Sequence, residues 1–389
     1  MSDITELTAY DQYDRDDVQT MYETFAHARS SCPVFRTNAE PGYWIVARYA
    51  DAKKVLLDPS TFSNRDGVTI HGVGSIKPLP AASDPPLTQV YRDLLKPYFA
   101  REALQAVEED LRAMARDVMG TWLSRGSVEF ITEYAAPVAF KALFAVYLRG
   151  AGDQLASEFG PAADRIVQDS QPESYGHLMQ LVAQFLEERR AAGVSYDDMV
   201  DGLEAAVIDG RPLSNDEKVG IVFSAVAAGF ETNFATMALI LELVARDPQL
   251  ERRITGRDWA DRHLAEFLRF VSPVTGLART VACDATVGDA TMREGEKVLI
   301  HYASANRDEE KFDGASTLDF DRGGSAQHMA FSFGLHRCIG APFAEFVIAI
   351  ALDELTKRVT DFRLVDEDIT YTEGVVRRPT HLNLTFTAR

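Results

Sequence analysis

The most constraining feature of the sequence is a long apolar helix, predicted to run from Ser214 to about Ala245. Ser214 and Glu217 have the spacing of a capping box at a helix N-terminus. From Val219 to Val244 the segment is apolar nearly all round, which is typical of a helix that crosses a protein interior. Glu231 ends the apolar run after about a dozen residues, whereas a membrane span needs about 20. The rest of the chain is therefore expected to fold around this helix.

The chain has 389 residues, of which 46% are hydrophobic, so it can bury one large core or two modest ones. It contains no fixed-period repeat and no long Ser/Gly/Pro linker. These features predict a single domain over residues 1–389.

The net charge of −19 argues against binding to nucleic acid or to anionic membranes, because like charges repel. Three cysteines (Cys32, Cys283 and Cys338) form no even disulfide set, which indicates a reducing compartment. The first residues have neither a basic segment nor an apolar run, so neither a signal peptide nor a membrane anchor is expected. We therefore expect a cytoplasmic protein.

Helical periodicity dominates the chain, and strand-like segments are few and short. Helices are predicted over residues 104–123, 136–148, 178–190 and 347–359. Strands are predicted over residues 42–47, 298–301 and 383–387, with a broken one near 278–291. Residues 61–83 read as a long loop, and loops of that length are usually functional. The fold class is therefore mainly α with small β-sheets.

Three residue choices that are unfavourable in a buried helix occur together in the long helix, at Gly229, Glu231 and Thr232. A buried carboxylate is costly unless it is paired or used, and glycine destabilises a helix interior. A threonine hydroxyl can bond back to the preceding turn and open the helix locally. The group predicts either a ligand groove with a proton route or a structural salt bridge with a kink.

The second informative segment is the run from Phe331 to Gly340, a glycine-punctuated loop that leads into an apolar helix. Cys338 lies there near a helix N-terminus, where the helix dipole favours a thiolate. Gly334 and Gly340 are expected to let the backbone turn sharply and admit a large flat ligand near the sulfur. A lone cysteine is more often a buried structural residue, but the glycines, Phe331 and His336 favour an axial ligand of haem iron.

With these two motifs in place, the chain resembles a bacterial cytochrome P450 over nearly its whole length. The family pattern Phe-x-x-Gly-x-x-x-Cys-x-Gly is matched by Phe331, Gly334, Cys338 and Gly340. The long helix resembles the family's Ala-Gly-x-Asp/Glu-Thr segment. The resemblance implies haem b buried between the long helix and the cysteine loop. It also implies that Cys338 binds the iron, while Glu231 and Thr232 deliver protons.

A further family motif, Glu-x-x-Arg, occurs as Glu266 to Arg269. The spacing alone is not informative, because residues 187–190 fit it equally well. The resemblance implies a structural ion pair beneath the haem, with Arg322 as the third member.

For the haem propionates, the resemblance implies Arg92, Arg279 and His328 as partners. Thr88 stands where many relatives have histidine, so it is a possible replacement contact. Two further departures are Ser332 in place of glycine and Glu345 in place of arginine.

The resemblance also places small and apolar residues around a substrate cavity, which suits an apolar ligand of modest size. His71 and Thr275 are expected to be able to bond a polar tail of the substrate. The implied pocket residues are Ser224, Ala227, Ala228, Val274, Thr275, Leu277, Val375 and Val376.

The resulting hypothesis is a monomeric haem-thiolate monooxygenase that uses O2 to hydroxylate or O-dealkylate a small hydrophobic substrate. The sequence has no dinucleotide-binding fingerprint and no ferredoxin cysteine cluster. Electrons from NAD(P)H are therefore expected through a separate ferredoxin and its reductase, docking near Arg337, Lys96 and Arg101. Three alternatives remain open, namely a peroxide-driven peroxygenase, a non-catalytic haem-thiolate sensor, and a helical protein with no cofactor.

Overall fold

The computed structural model describes residues 7–13, 18–71, 77–150, 157–162, 165 and 172–389. Contacts divide the chain into two compact units. The sheet unit comprises Met1–Gln89, Ala265–Cys338 and Tyr371–Arg377. The helical unit comprises Val90–Leu264, Ile339–Thr370 and Arg378–Arg389. The expected single domain over residues 1–389 stays a prediction.

Helices make up most of the regular structure. In chain order, the principal helices are α1 (Val18–Ser31), α2 (Tyr49–Leu57), α3 (Leu87–Leu95), α4 (Arg101–Gln105), α5 (Glu108–Gly120), α6 (Ala136–Tyr147), α7 (Pro172–Ala192), α8 (Met199–Ala205), α9 (Asn215–Arg246), α10 (Ala265–Val271), α11 (Tyr302–Ala305) and α12 (Ala341–Thr356).

The strands are short. They are β1 (Val34–Thr37), β2 (Tyr43–Val46), β3 (Phe62–Ser63), β4 (Ser127–Glu129), β5 (Val207–Ile208), β6 (Arg211–Pro212), β7 (Leu277–Val281), β8 (Ala285–Val287), β9 (Ala290–Met292), β10 (Lys297–Ile300), β11 (Val359–Leu364) and β12 (Asn383–Ala388). The mainly α prediction with small sheets is confirmed.

Two of the predicted helices were wrong at their ends. The helix expected over 347–359 begins earlier and ends at Thr356, and Val359 instead opens strand β11 opposite Ala388. The helix expected over 104–123 is split between α4 and α5, because Val107 leaves helical geometry with φ −112° and ψ 9°. Apolar spacing alone does not reveal either break. The predicted loop over 61–83 contains residues 72–76, which lie outside the described residues.

The sheet unit is built on a five-stranded sheet with the strand order β1-β2-β10-β7-β3. Strand β10 pairs parallel to β2 and antiparallel to β7. Side chains alternate between two apolar clusters, as strand geometry requires. Val298 and Ile300 belong to one cluster, and Leu299 belongs to the other with Phe25 of α1. The sheet is therefore covered by apolar packing on both faces.

The helical unit is organised around α9, which contacts α6, α7, α12 and β11. The capping box is confirmed: Ser214 Oγ accepts from Glu217 N, and Glu217 accepts from Ser214 N. In the described part of the chain, α9 is the one helix long and apolar enough to match a membrane span in length and composition. Its most apolar window is 67% buried inside the protein, so α9 is a core helix of this unit.

Candidate functional site

The cysteine loop ends the sheet unit and leads directly into α12. The backbone N–H of Cys338 donates to the carbonyl of Phe331 at 2.8 Å, which closes the loop on itself. All three cysteines lie in the described part of the chain, and none forms a disulfide. Cys338 is exposed and lies two residues before Gly340, the N-cap of α12. Its thiol can therefore reach an external ligand.

The backbone of this loop needs glycine at one position and tolerates serine at another. Gly334 has φ +72°, and a Cβ there would lie 2.9 Å from the carbonyl oxygen of Leu56. Its role is close packing against α2 rather than room for a flat ligand, which corrects that part of the prediction. Gly340 has φ −81°, which other residues adopt readily. Ser332, where the family has glycine, has φ 59°, and its hydroxyl accepts from Tyr302 at 3.2 Å.

Arg279 on β7 tests whether the chain fits an anionic cofactor. The residue is 3% exposed, and Nη1 donates to the carbonyl of Phe62 at 3.3 Å. Within the described residues no carboxylate forms an ion pair with it, and burial lowers the pKa of its guanidinium. A buried cation of this kind requires an anionic partner. A haem propionate meets that requirement, so this residue fits the group.

His328 is a second buried donor in the sheet unit. The backbone N–H of Ala330 donates to its Nδ1 at 3.1 Å, which leaves Nε2 to carry the ring proton. Burial lowers the pKa of His328 to about 4, and the nearby charge of Arg337 adds to the effect. At neutral pH the ring is therefore a neutral donor through Nε2, which also fits a propionate.

The remaining cofactor candidates lie on α3 and differ in what they can offer. Thr88 is fully buried, and its hydroxyl lies 2.9 Å from the Oγ of Ser83. Since Ser83 donates its own proton to the carbonyl of Pro80 at 2.8 Å, Thr88 donates to Ser83. Thr88 therefore has no proton left for a propionate, which corrects the expected replacement contact. Arg92, one turn later, is half-buried.

Helix α9 carries a stripe of small side chains that escape its general burial. Ser224 and Thr232 are half-buried, and Ala228 between them is exposed. Residues four apart lie on one helix face, so these side chains form one stripe, with half-buried Ala227 beside it. The Thr232 hydroxyl donates to the carbonyl of Ala228 at 2.6 Å, as expected for a threonine inside a helix.

The turn around these residues is not opened, contrary to expectation, because α9 is α-helical over its whole length. Gly229 has a packing role instead. A Cβ at Gly229 would lie 2.9 Å from Cδ1 of Leu143, so glycine lets α6 approach α9 closely.

The carboxylate of Glu231 has a partner that the sequence did not reveal. Glu231 is 5% exposed, and the Nε of Arg378 donates to its Oε1 at 3.3 Å. The guanidinium of Arg378 also lies 5.0 Å from the ring centroid of Phe234. The two residues are 147 positions apart, so no local pattern indicates the pairing.

The structure brings Glu266, Arg269 and Arg322 together in the sheet unit. Arg269 is fully buried and donates to both oxygens of Glu266, at 2.7 and 2.8 Å. Arg322 donates to Oε1 of Glu266 at 3.4 Å. Burial alone would raise the pKa of Glu266, but the hydrogen bonds from Arg269 and the Asp319 amide hold it below its usual value.

Five of the expected pocket residues lie on two segments that pair in the sheet unit. Val274 forms a bridge with Val376, and the backbone N–H of Thr275 donates to the carbonyl of Val375 at 2.9 Å. Val274, Leu277, Val375 and Val376 are half-buried, which leaves them surface for a ligand.

Thr275 does not offer the polar contact expected of it. The residue is 4% exposed, and its hydroxyl faces the carbonyls of Gly374 and Val375 at 3.3 Å. It also accepts from the side chain of Gln12 at 3.2 Å. A hydroxyl has one proton, and that proton is used within the protein. His71 is exposed, with its ring centroid 4.8 Å from that of Tyr13.

Comparison with known proteins gives a consistent result. The family model described as Cytochrome P450 matches residues 259–385. Cytochrome P450 130 of Mycobacterium tuberculosis is 28% identical over 360 residues, covering 87% of this chain and 87% of that protein. Cytochrome P450 CYP109Q5 from Chondromyces apiculatus has a TM-score of 0.86 at 25% identity, covering 98% and 99% of the two chains. A mutant of P450 EryK in complex with erythromycin B has a TM-score of 0.84 at 25% identity, covering 94% and 96%.

Proposed function

Because the chain belongs to the cytochrome P450 family and is a haem-thiolate monooxygenase, we propose that it inserts one oxygen atom into a small hydrophobic substrate by hydroxylation or O-dealkylation. The observation that carries this proposal is the stripe on α9, where small side chains are exposed along an otherwise buried helix next to a threonine hydroxyl. Small side chains leave room for a substrate, and apolar neighbours favour an apolar one.

We propose that Cys338 supplies the axial thiolate. When bound, the haem supplies dioxygen binding and O–O bond cleavage, which a thiolate ligand favours. Arg279 and the Nε2–H of His328 hold the propionates, because both are buried donors suited to an anion. Arg92 is a third propionate candidate, supported by its position on α3.

Within this proposal, Thr232 and Glu231 manage protons. The Thr232 hydroxyl can turn from the Ala228 carbonyl and present its oxygen to a proton donor or acceptor. Glu231 gives up a carboxyl proton and regains one from water. Both residues lie on one turn of α9, which holds them in a fixed relation.

The first experiment tests the iron ligand. Carbon monoxide is added to the reduced holoprotein and to a Cys338→Ser variant, and their absorption spectra are compared. The wild type is expected to give the spectrum of a thiolate-ligated haem, and the variant is expected to lose it. Cys283→Ser, which changes an exposed cysteine on the β7–β8 turn, is the matched control and should leave the spectrum unchanged.

The second experiment tests the proton role. Thr232→Ala should divert reductant from product to peroxide, while binding of a substrate found by haem spectral shift is retained. Thr236→Ala is the matched control, because its hydroxyl also bonds back one turn, to the Thr232 carbonyl at 2.6 Å, but it is 2% exposed. Unchanged coupling of reductant to product in Thr232→Ala would contradict the assignment.

We further propose that a ferredoxin and its reductase supply the electrons to a monomeric cytoplasmic enzyme. Arg337 is exposed next to Cys338, and Lys96 and Arg101 are exposed in the helical unit, although Lys96 pairs with Asp93 at 2.5 Å. Arg337→Glu should slow reduction by the donor at low salt, because steering charges act most strongly there. Arg293→Glu, an equally exposed residue before β10, is the control. Equal reduction rates in the two variants would remove Arg337 from the proposal.

A further inference from the structure

Glu231 is the only member of the expected site whose most direct protein partner was not foreseen, and that partner is Arg378. Both residues belong to the helical unit, and each is 5% exposed. The contact joins the Nε of Arg378 and Oε1 of Glu231 at 3.3 Å. Charge-assisted hydrogen bonds of this type are usually about 2.7–2.9 Å long. The contact therefore neutralises charge without the tight geometry of a structural ion pair.

Other contacts hold Arg378 in place. Its guanidinium lies over the ring of Phe234, 5.0 Å from the centroid, and Nη1 donates to the carbonyl of Pro379 at 3.3 Å. Phe234 is three residues after Glu231, so both lie on one face of α9. The ring thus fixes the cation beside the carboxylate, and the Glu231 side chain can rotate without displacing Arg378.

The pairing has a consequence for a group that must both lose and regain a proton. A carboxylate buried without a cation resists ionisation, and one bound tightly to a cation resists protonation. An arginine at 3.3 Å, fixed by a neighbouring ring, lies between these extremes. When the Glu231 carboxyl O–H bond breaks, the resulting carboxylate is stabilised by Arg378. Water from solvent then returns a proton to the same oxygen.

We propose that Arg378 is a positioning residue that holds the Glu231 side chain and controls how fast it hands protons toward Thr232. This inference rests on the proposed function, because it assigns a second residue to the same proton transfer. Arg378 contacts neither the substrate nor the reacting atoms in this role. Its effect passes through Glu231 alone.

The experiment compares Arg378→Gln, Glu231→Gln and the double variant as holoenzymes. We measure turnover, the fraction of reductant lost to peroxide, and the solvent deuterium isotope effect on turnover from pH 6 to 9. Haem content and the absorbance change on binding substrate report whether each variant folds and binds normally. Arg378→Gln should lower turnover about tenfold, with a larger isotope effect and more peroxide. The double variant should be no slower than Glu231→Gln, since residues acting through one group are not additive.

The matched control is Arg246→Gln. Arg246 pairs with Glu242 on the same helix at 3.0 Å, and Glu242 is also 5% exposed. This change removes an arginine beside a buried carboxylate that the proposal does not use, so the isotope effect and the peroxide fraction should stay at wild-type values.

The outcomes separate this inference from the proposed function. If Glu231→Gln and Thr232→Ala both leave coupling and the isotope effect unchanged, the proton roles in the proposed function fail and this inference fails with them. If Glu231→Gln changes them but Arg378→Gln does not, only the role of Arg378 is overturned. A double variant slower than either single variant by the product of their effects would also overturn it.

A second variant covers the case in which Arg378→Gln does not fold. Arg378→Lys keeps the charge but loses the planar guanidinium that stacks on Phe234. It should slow turnover about threefold with a raised isotope effect, and Glu231→Gln should abolish that difference. A lysine variant with a wild-type isotope effect would contradict the proposal.

Discussion

Two buried acid–arginine pairs, one in each unit, illustrate how differently the same two residue types can be held. In the sheet unit, Glu266 and Arg269 meet through two bonds of 2.7 and 2.8 Å. Asp319 N and Ser325 Oγ also donate to the Glu266 carboxylate, at 2.9 and 2.8 Å. Arg269 in turn donates to three backbone carbonyls, of residues Asn306, Ala315 and Thr317.

In the helical unit, Glu231 and Arg378 are as deeply buried, but their contact is 3.3 Å long and the cation rests on an aromatic ring. A carboxylate whose lone pairs are saturated by short bonds is fixed in charge and position. One with a longer contact retains freedom to change both. The difference indicates a structural role for Glu266 and a proton-transfer role for Glu231.

The largest effect that this comparison predicts is on stability. Glu266→Gln should lower the free energy of unfolding by about 3–5 kcal/mol, because it leaves Arg269 buried without its counter-charge. Glu231→Gln should cost about 1 kcal/mol, since the amide oxygen can still accept one bond from Arg378. Urea unfolding of both holoproteins, followed by circular dichroism, measures the two values. Equal losses would mean that the length of the contact does not distinguish the pairs.

A more conservative change tests the arginine of the first pair. Arg269→Lys keeps the charge, but three ammonium donors cannot replace the five bonds that this guanidinium makes. Stability should fall by about 2 kcal/mol. Arg262→Lys is the control, because Arg262 pairs with Asp258 at the surface and should change stability by less than about 0.5 kcal/mol. Similar unfolding midpoints for the two variants would show that the extra bonds contribute nothing.

The motif-borne parts of the molecule are the parts that the sequence predicts well. The cysteine loop and the Glu266–Arg269 pair are short-range patterns, and the long helix announces itself by its capping box and apolar surface. The structure adds contacts between residues far apart in the chain. Arg378 beside Glu231 is such a contact, and the use of the Thr88 proton by Ser83 depends on a third partner, the Pro80 carbonyl.

Element ends were the other weak point of the sequence predictions, for a related reason. The apolar spacing after residue 347 continues beyond the end of α12 at Thr356, because Val359 is buried equally well on a strand. Pairing with β12 decides the strand, and that pairing is a long-range interaction. Gly229 is similar: its mid-helix cost was visible in the sequence, but its neighbour Leu143 was not.

Acid titration sharpens the comparison because it separates Glu266 from a buried histidine in the same unit. The pKa of Glu266 lies below its usual value, so its contribution should persist down to about pH 4.5 and fade only below it. Burial lowers the pKa of His301 to about 3, with the charge of Arg29 adding to the effect. The unfolded chain then binds a proton near pH 6.5 that the folded chain does not, and stability falls as pH drops below that value.

Between pH 7.5 and 5.5 the wild type should therefore lose about 1 kcal/mol through His301. Over the same range, the stability difference between wild type and Glu266→Gln should stay constant. His301→Gln, which removes the titrating ring stacked on Phe25, should flatten the slope in this range. A slope that survives in His301→Gln would assign the acid sensitivity to another group.

The smallest effect concerns the turn of α9 that carries Glu231. Alanine at position 229 gains about 1 kcal/mol of helix propensity over glycine. Its methyl group would lie 2.9 Å from Cδ1 of Leu143, which is the far end of a flexible side chain and can shift. The two effects should nearly cancel, so Gly229→Ala should change stability by less than about 1 kcal/mol. In that background Leu143→Ala should cost less than it does alone, because the added methyl group occupies part of the space vacated. A loss above about 2 kcal/mol for Gly229→Ala would mean that this turn is packed as rigidly as the surroundings of Glu266, and Glu231 would then lack the freedom that its longer contact implies.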